Sequence, residues 1–338
     1  MRLENVVALT HGELVNSPFV HTFTNIIFDA KNVKRGDLFI AFDEQSIEDA
    51  ISNGAYGIVF DKPTQISDSE IAWIKVKNLE DALKRLLRFR LIDKEITVFE
   101  ADEIVLELAL QIITDTTFIP ITGDIKTVFQ TLLHVEDGTT ILFCPQTTNV
   151  DIFTHTQPLP KNERKKIEII EQTLFETSFI YDNVFYERQL LSPFFIPYLE
   201  QLLYLFTTRN IPFRLKKFTP MKHFEAVFVN KRFEIKEFGT SDMVLIFEKN
   251  SDLIEKEIHF LQQQASWAKI LYILPETTRN TLSTTLIDQK NLLFYKQEHE
   301  IKKILQSHTF HFALVVGVDS SFLETPFVPK QQMSLFDF

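Results

Sequence analysis

Residues 117–127 place residue types that can bind phosphate directly after an apolar strand. Gly123 can give the backbone the freedom to approach a phosphate, Lys126 can supply a positive charge, and Thr127 can supply a hydroxyl for Mg²⁺. Asp124 lies among them, and a carboxylate a few Å from a triphosphate is repulsive by ~1 to 4 kcal/mol, depending on the local dielectric. The segment therefore combines a phosphate-binding pattern with a charge that opposes it.

The C-terminal stretch of the chain has the composition of a peptide that anchors to a partner. Leu335 and Phe336 can fill an apolar pocket, and the Gln332 amide can fix the register by hydrogen bonding. The stretch resembles the peptides by which bacterial replication and repair proteins bind the β sliding clamp, which read Gln, an aliphatic residue, Ser or Asp, Leu and Phe. Met333 and Ser334 take the second and third places. Two prolines before it predict a semi-rigid spacer that presents the peptide; the alternative is a hydrophobic tail packed on its own domain.

The composition argues against several classes of protein. A net charge of −11 argues against direct binding of nucleic acid through its phosphates, and the mixed run 161–166 is typical of a solvated helix start. No apolar run approaches the ~20 residues that span a bilayer, and the early acidic residue Glu4 argues against a signal peptide. The single cysteine, Cys144, excludes an intrachain disulfide framework and a cysteine-built zinc site. We therefore expect a cytoplasmic protein that binds no membrane.

The first 92 residues carry strand and helix signals in the order of a small α/β module. Apolar runs predict strands at 38–42 and 56–60, Ser46 is a candidate cap for a helix that Gly54 stops, and apolar residues recur at helical spacing over 79–90. A further predicted strand covers 74–76.

Four segments of this module resemble, in order and at family spacing, the N-terminal substrate domain of the Mur ligases, especially the members that add D-Ala-D-Ala to UDP-muramyl-tripeptide. The segments are residues 9–14, 29–41, 50–55 and 76–83. In the family a Ser and an Arg after the second strand contact the UDP-sugar, and Ala30 and Lys31 take those places here. A hydroxyl donor is lost and a forked guanidinium becomes a point charge. The resemblance thus implies a retained fold with only a remnant of the UDP contact.

The same resemblance implies a shortened, degenerate ATPase-like region over 93–215. Gly123, Lys126 and Thr127 match the family's phosphate loop, Ile-Thr-Gly-x-x-Gly-Lys-Thr, but the second glycine is missing and the loop is one residue shorter. We interpret it as a remnant phosphate loop; the alternative is an exposed helix start. No residues match the family's magnesium ligands, so we predict neither a catalytic residue nor a metal site. Three neighbouring polar residues are interpreted as surface groups: Asp151, His155 and Glu163.

The remaining sequence predicts a largely helical stretch over 165–215, with Pro193 and Pro197 as breaks, and then a βα-layered domain over 216–325 that resembles the C-terminal Mur domain. Predicted strands cover 226–229, 232–235, 243–247, 270–274 and 312–317, and predicted helices cover 251–266 and 296–306. His223 follows a proline in a segment similar to the family's Pro-x-x-Gly-Arg-Phe-Glu, with the Arg absent. We interpret it as a surface or capping histidine.

Together these patterns predict a multidomain α/β protein of Mur-ligase-like architecture, with domains at 1–92, 93–215 and 216–325 and a tail at 326–338. Two hypotheses of function remain. In the first, catalysis is lost and the protein is a scaffold, a pseudoenzyme whose tail binds the β sliding clamp. In the second, it is a divergent ATP- and Mg²⁺-dependent ligase of peptidoglycan precursors that acts through an acyl-phosphate. The scarcity of glycine, 8 residues where average usage gives about 24, favours the first.

Overall fold

A computed structural model describes residues 1–62, 64–146, 152–161, 166–280 and 291–324. The chain divides into two compact units. Unit 1 comprises Met1–Lys161 and Leu205–Phe213, and unit 2 comprises Asn162–Tyr204 and Arg214–Phe338. The predicted α/β class is confirmed, because each unit carries helices alongside its sheets.

The first sheet of unit 1 has five strands in the order β1-β5-β4-β3-β2, parallel except for β1 at its edge. Its central strands β3 and β4 are buried along their whole length, as expected for a sheet covered on both faces. The Asn78 side chain accepts a hydrogen bond from the Asp81 amide (2.9 Å) and so caps the third helix. The elements are α1 (Leu3–Thr10), β1 (Glu13–Leu14), β2 (Ile26–Ile27), β3 (Leu38–Ile40), α2 (Gln45–Ser52), β4 (Gly57–Phe60), β5 (Ala72–Lys75) and α3 (Leu79–Leu91).

The second sheet of unit 1 is parallel, in the order β7-β8-β6-β9. One continuous buried core joins it to the first sheet; within that core Phe28, just after β2, meets Phe129 edge to face at a centroid distance of 5.3 Å. Cys144 follows the strand β8, is 1% exposed, and donates its thiol to Gln146 Oε1 at 3.0 Å. The elements are β6 (Thr97–Glu100), α4 (Glu103–Ile112), β7 (Phe118–Ile121), α5 (Ile125–Leu132), β8 (Thr140–Phe143) and β9 (Gln157–Pro158).

Unit 2 contains an antiparallel three-stranded sheet, β10-β11-β12, and a five-stranded sheet, β13-β14-β17-β15-β16. In the larger sheet β14, β17, β15 and β16 are parallel and β13 is an antiparallel edge strand. The elements are β10 (Glu168–Gln172), β11 (Thr177–Tyr181), β12 (Val184–Gln189), α6 (Ile196–Arg209), β13 (Glu225–Val229), β14 (Met243–Glu248), α7 (Ile254–Gln264), β15 (Ile270–Pro275), β16 (Leu292–Tyr295), α8 (Glu298–Ser307) and β17 (Phe312–Val316). The last residues of α6, from Leu205, belong to unit 1.

Several sequence-based predictions of secondary structure were wrong. The stretch expected to be helical carries the strands β10, β11 and β12 before α6 begins. Pro197 does not break α6, because it lies in the first turn, where a proline leaves no intrahelical hydrogen bond unmade. The expected strand at 232–235 reduces to a single bridge between Val229 and Ile235. Ser46 is not a helix cap; it lies inside α2, and its amide donates to Asp43.

Within the described ranges, no helix is both long and apolar enough to cross a membrane.

Candidate functional site

The candidate phosphate loop lies between β7 and α5. Gly123 adopts a left-handed backbone with φ of 95°, which favours glycine, and turns the chain into the helix. Asp124 is the N-cap of α5: its Oδ1 accepts hydrogen bonds from the Thr127 amide at 2.9 Å and from the Thr127 hydroxyl at 2.7 Å. An amide that could face a bound anion therefore already faces an anion of the protein itself.

The Asp124 carboxyl is ionised at neutral pH. Hydrogen bonds from the Thr127 amide and then from the Thr127 hydroxyl hold the pKa of Asp124 below its ordinary value, with a smaller contribution from the charge of Lys126. The helix N-terminus also favours a negative charge at this position. Because Asp124 supplies that charge, a phosphate at the loop must compete with a carboxylate that is already bound there.

The structure brings Gly123, Lys126 and Thr127 together at this strand-to-helix junction, but two of their functional groups are engaged elsewhere. The Lys126 ammonium lies 5.7 Å from the ring centroid of Phe42, and the Thr127 hydroxyl donates to Asp124. A lysine over an aromatic face gains a cation–π interaction of about 0.5–1 kcal/mol at an exposed site. The loop is thus held in an arrangement that satisfies its polar groups without a nucleotide.

The predicted UDP-contact positions lie on a short 3-10 turn, Ala30–Asn32, three residues beyond β2. Asp29 caps this turn by accepting a hydrogen bond from the Lys31 amide at 3.0 Å. The carbonyl of Ala30 accepts a hydrogen bond from the Asn53 side chain at 3.0 Å. The methyl group of Ala30 is buried, whereas the Lys31 side chain is exposed. The turn therefore offers a ligand one mobile cation and no side-chain hydroxyl at residue 30.

Unit 2 contains a buried polar cluster that corrects the interpretation of His223. His223 is 4% exposed and is not a surface residue; its Nδ1 lies 3.0 Å from Glu248 Oε1. Glu248, at the end of β14, also accepts hydrogen bonds from the backbone amides of Phe224 at 3.1 Å and Asn250 at 2.6 Å. One carboxylate thus ties together the loop before β13 and the loop after β14.

Glu257 completes the cluster from helix α7. It is fully buried, and its carboxyl faces that of Glu248. Burial and then repulsion by the Glu248 charge raise the pKa of Glu257 well above its ordinary value, which favours the neutral carboxyl. Although burial opposes ionisation of Glu248 as well, hydrogen bonds from His223 and then Glu257, together with the charge of His223, hold the pKa of Glu248 below its ordinary value.

Backbone strain accompanies this cluster at Phe224. Its φ of 47° is left-handed, which costs a bulky residue free energy and persists only where the surroundings enforce it. The Phe224 ring stacks on Phe194 at 5.4 Å and meets Phe260 edge to face at 5.5 Å. Its amide is held by Glu248. Because His223, Glu248 and Glu257 are each at most 4% exposed, the cluster presents no surface to a substrate.

The other predicted positions are less informative. His155 is exposed, whereas Asp151, Glu163 and the clamp-type peptide at Gln332, Met333, Ser334, Leu335 and Phe336 lie outside the described residues. Among the side chains that the structure describes, no group of three or more His, Cys, Asp or Glu is arranged to hold a metal ion.

No family model matches the chain. A Clostridium tetani UDP-N-acetylmuramoyl-L-alanyl-D-glutamate–2,6-diaminopimelate ligase is 35% identical over 91 residues, which cover 25% of this chain and only 19% of that enzyme. Among solved structures, MurF from Acinetobacter baumannii (crystal structure I) superimposes with a TM-score of 0.51 at 10% identity, covering 93% of this chain and 95% of that one. The chain has the fold of a Mur ligase. MurF from Thermotoga maritima in complex with ADP gives a TM-score of 0.48 at 13% identity, over 89% and 95% of the two chains.

The resemblance to the Mur ligases is thereby confirmed at the level of the fold. Within this Mur-ligase fold the loop at Gly123 occupies a strand-to-helix junction, as the sequence pattern implied. The Thr127 amide of that loop, however, already donates its hydrogen bond to Asp124. Sequence reasoning recognised the charge of Asp124 and missed its role as a cap. The signal was present, because Asp is among the residues that are strongly preferred directly before a helix.

No pattern in the sequence indicates the cluster of His223, Glu248 and Glu257. Its members lie 25 and 9 residues apart in sequence and come together only through the pairing of β13 with β14 and the packing of α7. A buried glutamate on an otherwise amphipathic helix looks the same in sequence as a solvated one.

Proposed function

We propose that this chain is a Mur-ligase-like protein without ligase activity, which acts as a binding or scaffold protein and carries a C-terminal peptide for the β sliding clamp. The observation that supports the loss of activity is the hydrogen bonding of Asp124 to both the amide and the hydroxyl of Thr127. A nucleotide enzyme needs those groups for phosphate and Mg²⁺.

The energetic cost of restoring the loop supports the same proposal. Displacing an aspartate cap costs about 1 kcal/mol. A carboxylate left a few Å from a triphosphate adds repulsion of ~1 to 4 kcal/mol. The sum weakens nucleotide binding by roughly 30-fold or more. In addition, Lys126 must leave the face of Phe42 to reach a phosphate.

The partner is proposed from the sequence of the C-terminal peptide. Leu335 and Phe336 supply the apolar anchors that dominate such interfaces, and Gln332 supplies the hydrogen bonds that fix register. A peptide of this kind needs no catalytic apparatus in the body of the protein. We expect the complex to form in the cytoplasm.

The loss of nucleotide binding is tested by thermal unfolding with and without millimolar ATP and Mg²⁺. We expect no rise in the melting temperature for the natural protein, because ligand binding to the native state is what raises it. A rise of several degrees that the Lys126→Ala variant abolishes would overturn this part of the proposal and favour an active ATP- and Mg²⁺-dependent ligase.

Clamp binding is tested by surface plasmon resonance on the immobilised β clamp of the same organism. Replacing Gln332, Leu335 and Phe336 together by alanine should weaken binding by roughly 3 kcal/mol, about 150-fold. The matched control is Ser334→Asp, which the peptide pattern tolerates and which should bind as the natural chain does. Equal binding by the natural chain and the triple variant would refute the partner.

A further inference from the structure

Unit 2 contains an open pocket of about 670 Å³ at the amino-terminal ends of β14 and β17. It is lined by residues of the β10–β11 connection, the β13–β14 connection and the segment after α7. Its size suits a small molecule. The phosphate loop belongs to unit 1, so the pocket is a separate feature of the chain.

The wall of the pocket is an unbroken series of aromatic rings. Phe238 packs on Phe228 at 4.8 Å, Phe228 on Phe175 at 5.9 Å, Phe175 on Phe312 at 6.1 Å, and Phe312 on Trp267 at 6.0 Å. Trp267 is 72% exposed and Phe238 is 44% exposed, so the two ends of the series present ring surface to solvent. Single exposed apolar side chains are common, but exposed rings that lie together along one concavity mark a binding surface.

The pocket lining carries two carboxylates and one imidazole. The carboxylates are Asp242 and Glu176, the imidazole is His311, whose Nδ1 accepts a hydrogen bond from the Lys269 amide at 2.9 Å, and none of the described lining residues is a lysine or an arginine. Glu176 accepts a hydrogen bond from the exposed Arg188 at 3.4 Å, which partly balances it, whereas Asp242 is exposed on the strand-to-strand connection. Aromatic faces carry partial negative charge, and the carboxylates add to it.

We propose that this pocket binds a small organic cation, such as a quaternary ammonium or a guanidinium on a short apolar stem. The aromatic wall supplies cation–π attraction and contact with the apolar stem, and Asp242 supplies the counter-charge. An anionic ligand is disfavoured by both features. This assignment is independent of whether the protein binds a nucleotide or a clamp.

The chain provides its own reporter for the test. It contains two tryptophans, and the other, Trp73, is fully buried in unit 1. In a Trp73→Phe background the fluorescence of Trp267 therefore reports the pocket alone. Each of four compounds is titrated into the protein, and affinities are compared within two pairs. Choline is paired with its uncharged isostere 3,3-dimethylbutan-1-ol, and Nα-acetyl-arginine amide is paired with Nα-acetyl-citrulline amide.

We expect at least one cation to change Trp267 fluorescence saturably, with an affinity roughly 5- to 30-fold higher than that of its neutral isostere, the range of a cation–π contact. Phe238→Leu keeps apolar volume but removes the ring, and it should lose most of that preference. Asp242→Asn should weaken the cation severalfold, while Asp252→Asn, an exposed aspartate outside the pocket, should leave it unchanged.

Two results would overturn the inference. One is the absence of a saturable response to either cation at tens of millimolar. The other is binding in which each neutral compound matches its cation, which would show an apolar pocket without charge selection. The Phe238 and Asp242 side chains are exposed, so both variants should fold, which circular dichroism would verify.

Discussion

Replacing the buried Glu257 by glutamine should change how the stability of unit 2 depends on pH. Above pH 4.5 the unfolded chain has released the proton of this carboxyl, whereas the folded chain keeps it because burial and Glu248 raise the pKa of Glu257. Folding then takes up a proton, so stability falls as pH rises from 4.5 towards the folded pKa. Glutamine has the same shape, is neutral at every pH, and removes this proton uptake.

The magnitude follows from linkage. Each pH unit in that window lowers the free energy of unfolding by about 1.4 kcal/mol for one proton taken up. Between pH 5 and 6 the Glu257→Gln variant should therefore gain about 1.4 kcal/mol relative to the natural chain. The pKa of Glu248 is shifted in the opposite direction. The stability that Glu248 contributes to the folded state is complete above pH 4.5 and is lost only as pH falls through the lowered pKa of Glu248, which lies outside the window.

The assay is urea unfolding at half-unit steps from pH 5 to 6.5 in the Trp73→Phe background, where Trp267 reports unit 2. The quantity compared is the difference in unfolding free energy between Glu257→Gln and its parent, because contributions common to both chains cancel. Parallel curves, with a difference independent of pH, would refute the assignment of a neutral Glu257 in the folded state. Glu255→Gln, on the exposed face of the same helix, is the control for removing one carboxylate from α7.

Three further outcomes follow from the packing of the chain, each measured as a change in unfolding free energy in urea. Asp124→Ala should cost about 1 kcal/mol through loss of the α5 cap, while Asp124→Asn, which still caps, should cost a few tenths. Phe129→Ala should cost roughly 3–5 kcal/mol, since the ring is fully buried and meets Phe28 edge to face. Gly317→Ala should destabilise by more than 1 kcal/mol, because its φ is 92° and an added Cβ would lie 2.5 Å from the Tyr295 hydroxyl.

Each of these changes has an outcome that contradicts it. Equal stability of Asp124→Ala and the parent would show that the cap contributes nothing. A loss below 1 kcal/mol for Phe129→Ala would mean that the shared core of unit 1 is not closely packed there. Gly138→Ala is the comparison for Gly317→Ala, because its φ is 83° but an added Cβ meets nothing within 4 Å, so it tests backbone strain without a clash. Equal losses for the two variants would contradict a contribution from the Tyr295 clash.

The N-terminal module was predictable because its signals agree with one another. Apolar runs of strand length become β3 and β4, and the helical spacing of 79–90 becomes α3, with Asn78 as its cap. The large sheet of unit 2 was also anticipated at β13, β14, β15 and β17. In both regions the apolar face of each element is buried, so the spacing of apolar residues in the sequence indicates which face packs into the core.

The three-stranded sheet was missed for the opposite reason. Strand β10 is exposed along its whole length, including Ile169 and Ile170, so its apolar residues do not mark a buried face. Pairs of apolar residues separated by charged residues fit the period of a helix no worse than that of a strand. Long-range pairing of β10 with β11 decides between them, and that pairing is not visible in a local window.

The burial of Cys144 makes the rate of an opening motion in unit 1 measurable. It is the chain's single thiol and is 1% exposed at the end of β8, inside unit 1. A thiol reagent can modify it only while the surrounding sheet is open, because a buried thiol has no room for the attacking molecule. The rate of modification at increasing reagent concentration should therefore reach a plateau equal to the rate of the opening that exposes Cys144. The natural thiol thus gives the rate of opening around β8 in the absence of denaturant, without any substitution in the chain.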